Sequence, residues 1–231
     1  MDELTFNNKT FSEFNVYWDG SQLFATPEKQ VEFFEIPGRS GDLSIFQDRY
    51  KNIAVNVNCF IRENFIQNHS NLMNYLLSQD GYQRFENSKE PDIYRLAQYV
   101  AELQPSTGAF LKYGYFTLEF NCKPQKWLKS GEVAISVSSS ATIENPTNFN
   151  ALPLIAVTGT GTININDSQL VLSENTSVTY IDCDIQDAYE GTVNRNDDLE
   201  ITNGFPVLVP GNNTISVSGC TIELTPRWWR L

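Results

Sequence analysis

The sequence has few of the side chains that most often carry enzyme chemistry or bind metals. It contains one histidine, four cysteines and two methionines in 231 residues. Cys59, Cys122, Cys183 and Cys220 lie far apart and form no C-x-x-C pair, and His69 is the single histidine. Zinc-type metal sites need clusters of such residues, and a hydrolytic triad needs a histidine beside its nucleophile. We therefore predict no catalytic residues, no cofactor and no metal site.

Basic residues and long apolar runs are also scarce. The 16 Lys and Arg residues are outnumbered by 28 Asp and Glu residues, which gives a net charge of -12. Proteins that bind nucleic acid cluster Lys and Arg against the phosphates, so specific nucleic-acid binding is not expected. Apolar runs such as residues 151–157 are far shorter than the roughly 20 residues that span a bilayer, so no membrane partner is expected. The N-terminus lacks the basic start and apolar stretch of a secretory signal, and we expect synthesis in a reducing cytoplasm.

The charge and the composition of the chain change near residue 130. Residues 1–130 hold 13 basic and 16 acidic side chains, whereas residues 131–231 hold 3 basic and 12 acidic side chains. The first segment carries most of the Phe, Tyr and Lys, and the second is rich in Ser, Thr, Asn, Val and Ile. Lys129-Ser130-Gly131 is typical of a short link between them. We predict two domains, residues 1–130 and residues 131–231.

The first segment predicts an α+β domain, in which one helix packs on a sheet. Residues 53–61 and 114–122 alternate between apolar and polar side chains, which is the pattern of half-buried strands. Residues 63–77 carry apolar side chains at spacings of three, four and seven, as on one face of a helix. Residues 93–103 alternate more weakly and are predicted to form a strand.

The second segment predicts an antiparallel β-sandwich. Its short runs of Val, Ile and Leu alternate with polar residues and are separated by Gly, Pro, Asn and Asp turns. The apolar positions of the last strand change parity between Val217 and Ile222. A β-bulge shifts parity in this way, and we place it at Gly219-Cys220.

The loop Pro37-Gly38-Arg39-Ser40-Gly41 is the sharpest local motif of the first segment. Its glycines allow positive φ, and the guanidinium of Arg39 is a forked donor for a carboxylate. A phosphate-binding loop would need a helix directly after it, and residues 42–50 have no helical pattern. We predict a structural or intersubunit loop, with Pro37, Gly38, Arg39 and Gly41 as candidate interface residues.

The end of the chain pairs arginine with two tryptophans. Arg227, Trp228 and Trp229 could close the core of the sandwich, contact a partner or stack on a sugar ring. Packing or a partner contact is favoured over a sugar, and all three are candidate interface residues.

Three further features are interpreted as structural. Cys59 and Cys122 fall on the apolar faces of their strands, where a free thiol packs as a small hydrophobic group. His69 lies beside the apolar stripe of the predicted helix and is interpreted as a packed residue. The run Asp182–Asp187 loosely resembles a calcium loop but lacks the glycine hinge and the final glutamate of an EF-hand, so we predict a strand end.

Several stretches, taken in order, resemble the distal tail protein (Dit) family of phages with long, non-contractile tails that infect Gram-positive bacteria. The stretches are Ile36-Pro37-Gly38-Arg39-Ser40-Gly41, Phe116–Gln125, Asn145-Pro146-Thr147-Asn148 with Pro153–Gly161, Ile181-Asp182-Cys183, Phe205–Asn213, and Pro226-Arg227-Trp228-Trp229. No single stretch is specific for the family. Their order and spacing over nearly the whole chain carry the resemblance.

The resemblance implies a structural protein without enzymatic activity. Six copies would form a ring at the end of the tail tube, as one ring or as two back-to-back rings. The N-terminal domain would build the ring and join the tail tube protein to the tail-associated baseplate or fibre protein, and a receptor-binding protein would be a further partner. The C-terminal domain would be a galectin-like β-sandwich on the outside. The implied location is the tail tip of the virion, after assembly in the host cytoplasm.

The charge distribution agrees with this layout. A ring closed through the weakly charged first segment avoids much like-charge repulsion, while the acidic second segments stay apart in solvent. DNA has to pass without adhering, so we predict a pore wall poor in exposed Lys and Arg. Two alternatives stay open: a glycan-binding adhesion module for the host surface, and a cell-wall hydrolase that uses a pair of carboxylates.

Overall fold

The structure is a computed structural model that describes residues 2–20, 25–107, 111–175 and 177–231. Within these ranges it contains one α-helix, nineteen strands and short 3-10 helices. The helix is α1 (Phe65–Leu77), and the strands are β1 (Leu4–Phe6), β2 (Lys9–Thr10), β3 (Val16–Trp18), β4 (Lys29–Phe34), β5 (Leu43–Tyr50), β6 (Ile53–Ile61), β7 (Gln83–Asn87), β8 (Ile93–Thr107), β9 (Gly114–Leu128), β10 (Ile135–Val137), β11 (Ser140–Asn145), β12 (Leu154–Ile165), β13 (Ser168–Leu172), β14 (Val178–Asp182), β15 (Asp187–Glu190), β16 (Val193–Asn194), β17 (Leu199–Thr202), β18 (Gly211–Thr225) and β19 (Trp229–Arg230).

The chain divides into two compact units, which meet in the sequence between Lys126 and Trp127. Residue 130, where the composition changes, falls just inside the second unit. The predicted fold class is confirmed, because the chain is mainly β, with one helix and large antiparallel sheets.

The first unit is a sheet in the order β2-β1-β7-β8-β9-β6-β3, with α1 packed on it. The alternation that predicted strands at 53–61 and 114–122 matches β6 and β9, which pair antiparallel from Ile53↔Cys122 to Ile61↔Gly114. Their odd and even positions, respectively, face a core of buried aromatic and aliphatic side chains. Leu72 and Leu76 bring the apolar stripe of α1 into that core. The helix and strand predictions for this unit are therefore confirmed.

The core of the first unit is rich in phenylalanine. The rings of Phe85 and Phe120 stack with their centroids 4.8 Å apart, and Phe6 lies 5.3 Å from Phe120. Cys59 and Cys122 are buried among these side chains as free thiols, as predicted. Burial raises the pKa of both thiols, to about 12 for Cys122, so neither forms a reactive thiolate at neutral pH.

His69 packs as the sequence predicted. Its ring stacks on Phe65 and meets the edge of Phe116, with both centroid distances 5.1 Å. Its Nε2 atom lies 2.9 Å from both carboxylate oxygens of Glu102. The histidine therefore ties α1 to β8 instead of serving a nucleophile.

The second unit is built on the long strands β12 and β18. The first half of β12 pairs with β14 and the C-terminal half of β18, and its second half pairs with β13 and the N-terminal half of β18. Both halves contribute to one buried cluster of aliphatic side chains. Strands β10 and β11 extend the sheet beyond β18, and β15 and β16 extend it beyond β14.

The predicted bulge is present, but its extra residue lies on the other strand. The register runs from Gly159↔Cys220 to Thr162↔Ser218, so two residues of β12 face the single residue Gly219 of β18. The backbones approach closely here: a Cβ on Gly161 would lie 2.1 Å from the Ser218 oxygen. The parity change marks the position correctly: the buried positions of β18 switch from odd to even between Val217 and Cys220, while those of β12 stay odd from Ile155 to Ile165.

Among the described residues, no helix is long and apolar enough to cross a membrane.

Candidate assembly surfaces

The strands β4 and β5 form a two-stranded hairpin that is a sheet of its own. Its register pairs Phe33 with Ser44 and Phe34 with Leu43. Because side chains alternate along a strand, Phe33 and Phe34 point to opposite faces of the hairpin.

Apolar side chains occupy both faces of this hairpin. We call the first the Phe33 face, which comprises Val31, Phe33 and Phe46, and the second the Phe34 face, which comprises Glu32, Phe34, Leu43 and Ile45. Six large apolar side chains of the hairpin are between 39% and 67% exposed: Phe33, Phe34, Ile36, Leu43, Ile45 and Phe46. A two-stranded hairpin is marginally stable on its own in water, and exposed apolar patches mark sites of association.

The predicted interface residues Pro37, Gly38, Arg39 and Gly41 lie together at the exposed tip of the hairpin. The Arg39 N–H donates to the Ile36 carbonyl at 3.1 Å and closes the turn. Gly38 and Gly41 have φ of +82° and +85°, and no atom lies within 4 Å of a Cβ built on either glycine. These glycines are needed for the backbone conformation of the turn and not for a close approach within the chain.

The other three predicted interface residues lie elsewhere, in the second unit. Both guanidinium Nη atoms of Arg227 donate to the carboxylate of Asp182, at 2.7 and 2.9 Å. Burial opposes ionisation of Asp182, but the hydrogen bonds from Arg227 and from the Asp184 N–H outweigh it and lower the pKa of the carboxyl. The hydrogen bonds with Asp182 also raise the pKa of the Arg227 guanidinium. Arg227 therefore anchors the end of the chain to β14.

The two tryptophans also contact their own unit. Trp228 is 4% exposed and belongs to the core, and a Cβ on Gly131 would lie 2.3 Å from its backbone nitrogen. Trp229 stacks on Phe149 with centroids 4.5 Å apart, and its Nε1–H donates to the Asn150 carbonyl at 2.9 Å. Packing of the chain end, which the sequence favoured along with a partner contact, accounts for both rings. A partner contact for these residues stays a prediction.

Two stretches that carry the family resemblance supply buried amides that hold loops of the second unit. Asn213 is fully buried: its Nδ2 donates to the Val209 and Gly211 carbonyls at 2.9 Å, and its Oδ1 accepts from the Val209 N–H at 2.8 Å. Asn145 likewise donates to the carbonyls of Phe149 and Leu208. Each amide forms hydrogen bonds with backbone groups of a loop that have no partner in a neighbouring strand.

The acidic run Asp182–Asp187 is a strand end, as predicted. Asp182 is paired with Arg227, and Asp187 Oδ1 accepts from the side chains of Asn194 and Asn196 at 2.9 and 2.7 Å. Across the described parts of the chain, no three His, Cys, Asp or Glu residues are grouped to hold a metal ion.

The sequence reasoning missed a second surface on the first unit, an aromatic row on the face of the sheet away from the core. Tyr17 of β3, Phe60 of β6 and Tyr115 of β9 are directly paired across the three strands. Their ring centroids are 5.4 Å and 6.2 Å apart along the row. Arg62 lies over two of the rings, 5.1 Å from Tyr17 and 5.5 Å from Phe60. The signal for this row was aromatic residues at the polar positions of alternating strands.

The second unit has a groove on the outer face of β11, β12 and β18. Its volume is about 520 Å³, and it is lined by Ser140, Ala141, Thr142, Asn164, Asn166, Thr214, Ile215 and Ser216. None of these lining residues is aromatic, so the groove offers no ring on which a sugar could stack.

No protein-family model and no curated protein matches the sequence. The structure is similar to Dit (gp 19.1) of phage SPP1, described as a paradigm of the hub adsorption apparatus in phages that infect Gram-positive bacteria. The TM-score is 0.77 and the identity 16%, and the alignment covers 100% of both chains.

Two chains of phage baseplates are also similar. One belongs to the phage P2 baseplate in its activated conformation with Ca, with a TM-score of 0.54, 9% identity and 97% of each chain covered. The other belongs to the phage p2 baseplate activated with Sr, with a TM-score of 0.53, 9% identity, and 100% of this chain and 98% of that chain covered. The chain therefore has the Dit fold over its whole length, and the resemblance to the distal tail protein family that the sequence predicted is confirmed at the level of the fold.

Proposed function

We propose that this protein is a structural virion component, the hub at the distal end of a non-contractile phage tail. Six copies close into a ring that joins the tail tube protein to the tail-tip or baseplate proteins and leaves a channel for DNA. The observation that carries this proposal is the β4–β5 hairpin, which exposes apolar side chains on both faces of a single chain. The full-length likeness to SPP1 Dit supports it.

The hairpin is suited to a head-to-tail contact between copies. A ring forms when each copy offers one surface and receives its neighbour on a different surface. Fully burying an exposed Phe, Leu or Ile side chain contributes roughly 1.5–3 kcal/mol. These six side chains are already about half buried, so covering all of them would contribute roughly 4–9 kcal/mol. Association itself costs roughly 4–15 kcal/mol, so the hairpin contributes a substantial part of the contact energy and closure of the ring reinforces it.

The charge distribution supports the same arrangement. The first 130 residues have three more acidic than basic side chains, whereas the last 101 have nine more. Ring closure through the first domain keeps the strongly acidic domains on the outside, where solvent and salt screen them. A second domain of galectin-like type on the rim, and a channel wall poor in exposed Lys and Arg, belong to this proposal.

The proposed location is the tail tip of the virion, reached by assembly in the host cytoplasm. The proposed partners are the tail tube protein, the tail-associated baseplate or fibre protein and a receptor-binding protein. The protein acts by positioning these components, with no reaction at any side chain.

The native mass of hairpin variants tests the proposal. The wild-type protein is expected to assemble to about six times the 26.2 kDa of one chain in light scattering. The double variant Phe33→Ser/Phe34→Ser is expected to remain a single chain with an unchanged circular dichroism spectrum. Leu77→Ser is the matched control, because Leu77 is 71% exposed on α1 but lies outside the hairpin. A double variant that assembles like the wild type would remove the hairpin as the ring contact.

The glycan-binding alternative has less support in the second unit. Trp228 is buried, one face of Trp229 is covered by Phe149, and the polar groove of this unit has no aromatic lining. A positive glycan array from the isolated virion protein, lost on substitution of a groove residue such as Asn164, would restore this alternative.

A further inference from the structure

The hairpin needs a receiving surface on the neighbouring copy, and the aromatic row of the first unit has the properties of one. The row consists of Tyr17, Phe60 and Tyr115, on the side of the sheet opposite the buried Cys59 and Phe116. Tyr115 is 61% exposed. Tyrosine and arginine are enriched at the energetic centres of protein interfaces, and the row places two tyrosines and an arginine together on one sheet face.

The dimensions of the two surfaces agree. The row crosses three adjacent strands, which place its ends roughly 10 Å apart, and a hairpin of two strands is roughly 5 Å wide between its strands. A hairpin can therefore lie on the row as one sheet packs on another, at a spacing of roughly 10 Å.

Charge selects the face of the hairpin that would lie on the row. Arg62 makes cation–π contacts with Tyr17 and Phe60, and within the described parts of the chain no carboxylate pairs with it. The outer half of the hairpin, residues 32–45, carries three carboxylates and one guanidinium. One of these carboxylates, Glu32, is on the Phe34 face, where its Oε1 accepts a hydrogen bond from the Gln47 side chain.

The Phe33 face is less suited to the row. On that face Phe46 already packs edge-on against Tyr50, with centroids 5.7 Å apart, and Lys29 lies 5.5 Å from the Phe46 ring. A lysine beside Arg62 would place two like charges together, which costs association free energy.

Within the ring-forming function proposed above, on which this inference rests, we propose that the Phe34 face of each hairpin packs on the aromatic row of the next copy. Phe34, Leu43 and Ile45 cover the rings of Phe60 and Tyr115, and Glu32 reaches Arg62. The occupant of the row is thus a second copy of this chain, and the contact repeats head to tail around the ring.

A depression beside α1 is the rival receiving surface. It has a volume of about 540 Å³ and is lined by Asn64, Ile66, Gln67, Asn68, Leu111 and Lys112. Its lining combines Ile66 and Leu111 with three amides and Lys112, and it lacks an aromatic ring. In the cross-linking experiment below, Ile66→Cys represents this alternative surface.

Cross-linking between two chains, each with one cysteine introduced in addition to the four native ones, tests the contact. One chain carries Phe34→Cys, the other carries Tyr115→Cys, and a short bis-maleimide joins only cysteines that are close. Because the chains are mixed, every cross-link between them is intermolecular. Phe33→Cys is the matched control, because Phe33 is the neighbouring residue on the opposite face and is the more exposed of the two, at 67% against 46%. The four native thiols are buried and their pKa values are raised, so they contribute little background.

The inference predicts that rings form and that Phe34→Cys joins Tyr115→Cys in far higher yield than Phe33→Cys does. Equal yields from both hairpin positions, or a cross-link to Ile66→Cys in place of Tyr115→Cys, would overturn the inference and leave the hub function standing. If the wild-type protein forms no ring under any condition, both the inference and the hub function are wrong.

A double-mutant cycle gives an independent readout should the cysteine chains assemble poorly. Phe34→Ser and Tyr115→Ser are each expected to raise the concentration at which half of the chains are in rings by about tenfold. The double variant is expected to be little worse than either single variant, because both remove the same contact. Effects that simply add would show that the two side chains do not meet, and would overturn the inference.

Discussion

Two parts of the chain carry the arginines and aromatic side chains that are typical of interfaces, and the structure uses them differently. At the tip of the β4–β5 hairpin, Arg39 and the neighbouring apolar side chains are exposed. At the end of the chain, Arg227 is paired with Asp182, and Trp228 is buried in the core. The tip was predicted from its glycines and arginine, and the chain end from its arginine and tryptophans. The difference shows that burial and pairing within the chain, and not composition, separate a motif that stabilises the fold from one that is available for assembly.

The same contrast holds between the two units as a whole. In the second unit, buried amides such as Asn213 and a paired arginine complete the loops within one chain. In the first unit, the hairpin leaves its apolar faces uncovered. We therefore expect substitutions near the chain end to change the free energy of unfolding, and substitutions in the hairpin to change assembly.

The largest expected effect is that of Trp228→Ala. Removing a fully packed tryptophan from the core should lower the free energy of unfolding of the second unit by about 4 kcal/mol. Trp229→Ala is the control and should cost about 1 kcal/mol, because Trp229 is only partly buried. Urea denaturation, monitored by far-UV circular dichroism and not by tryptophan fluorescence, measures both free energies. Equal effects would mean that burial of Trp228 adds no stability beyond that of Trp229. A Trp228→Ala protein that is stable but no longer assembles would place Trp228 at an interface.

A smaller effect is expected when the Arg227–Asp182 pair is broken. Asp182→Asn should lower the free energy of unfolding by about 2 kcal/mol at neutral pH, because it leaves a partly buried guanidinium without its carboxylate. The pKa of Asp182 is lowered in the folded protein, so the pair stabilises above the unfolded pKa and its contribution is lost as the pH falls through the folded pKa.

The difference between Asp182→Asn and the wild type should therefore shrink on acidification, as the pH falls through the lowered pKa of Asp182 in the folded protein. Urea midpoints over a series of pH values measure it. The exposed Asp197 provides the control, since Asp197→Asn should show little effect at any pH. A difference that does not depend on pH would mean that the ion pair contributes nothing to stability.

The smallest effect on stability, but a measurable one on assembly, is expected for Arg39→Ala. Arg39 is exposed, so the free energy of unfolding should change by less than about 0.5 kcal/mol. The concentration needed for half-assembly should rise by roughly three- to tenfold if Arg39 contacts a neighbour. Arg49→Ala, in the same hairpin but away from the tip, serves for comparison. An unchanged native mass across the concentration series would exclude Arg39 from the interface.

Much of the fold could be predicted because a single face of each element is buried. Alternation predicted β6 and β9, and a spacing of three and four predicted α1, since in each case one set of side chains faces the core. The hairpin gave no such signal. Phe33-Phe34 and Ile45-Phe46 are adjacent apolar pairs, and a strand with apolar residues on both faces has no period of two for a single chain to reveal.

The candidate surfaces were predicted only in part for a similar reason. The tip of the hairpin was found from its glycines and arginine, whose turn geometry is local. The aromatic row was not found, because its members come from three strands that are distant in the sequence. The bulge was placed correctly but assigned to β18, since the parity of one strand cannot tell which partner holds the extra residue.

Negative-stain imaging of the purified wild-type protein, over a range of concentrations and together with its tail tube protein, tests the central claim most directly. We expect ring-shaped projections with sixfold symmetry and an open centre, absent from the Phe33→Ser/Phe34→Ser variant. Single particles of one chain at every concentration, with and without the tail tube protein, would contradict the claim that the β4–β5 hairpin joins copies into a ring.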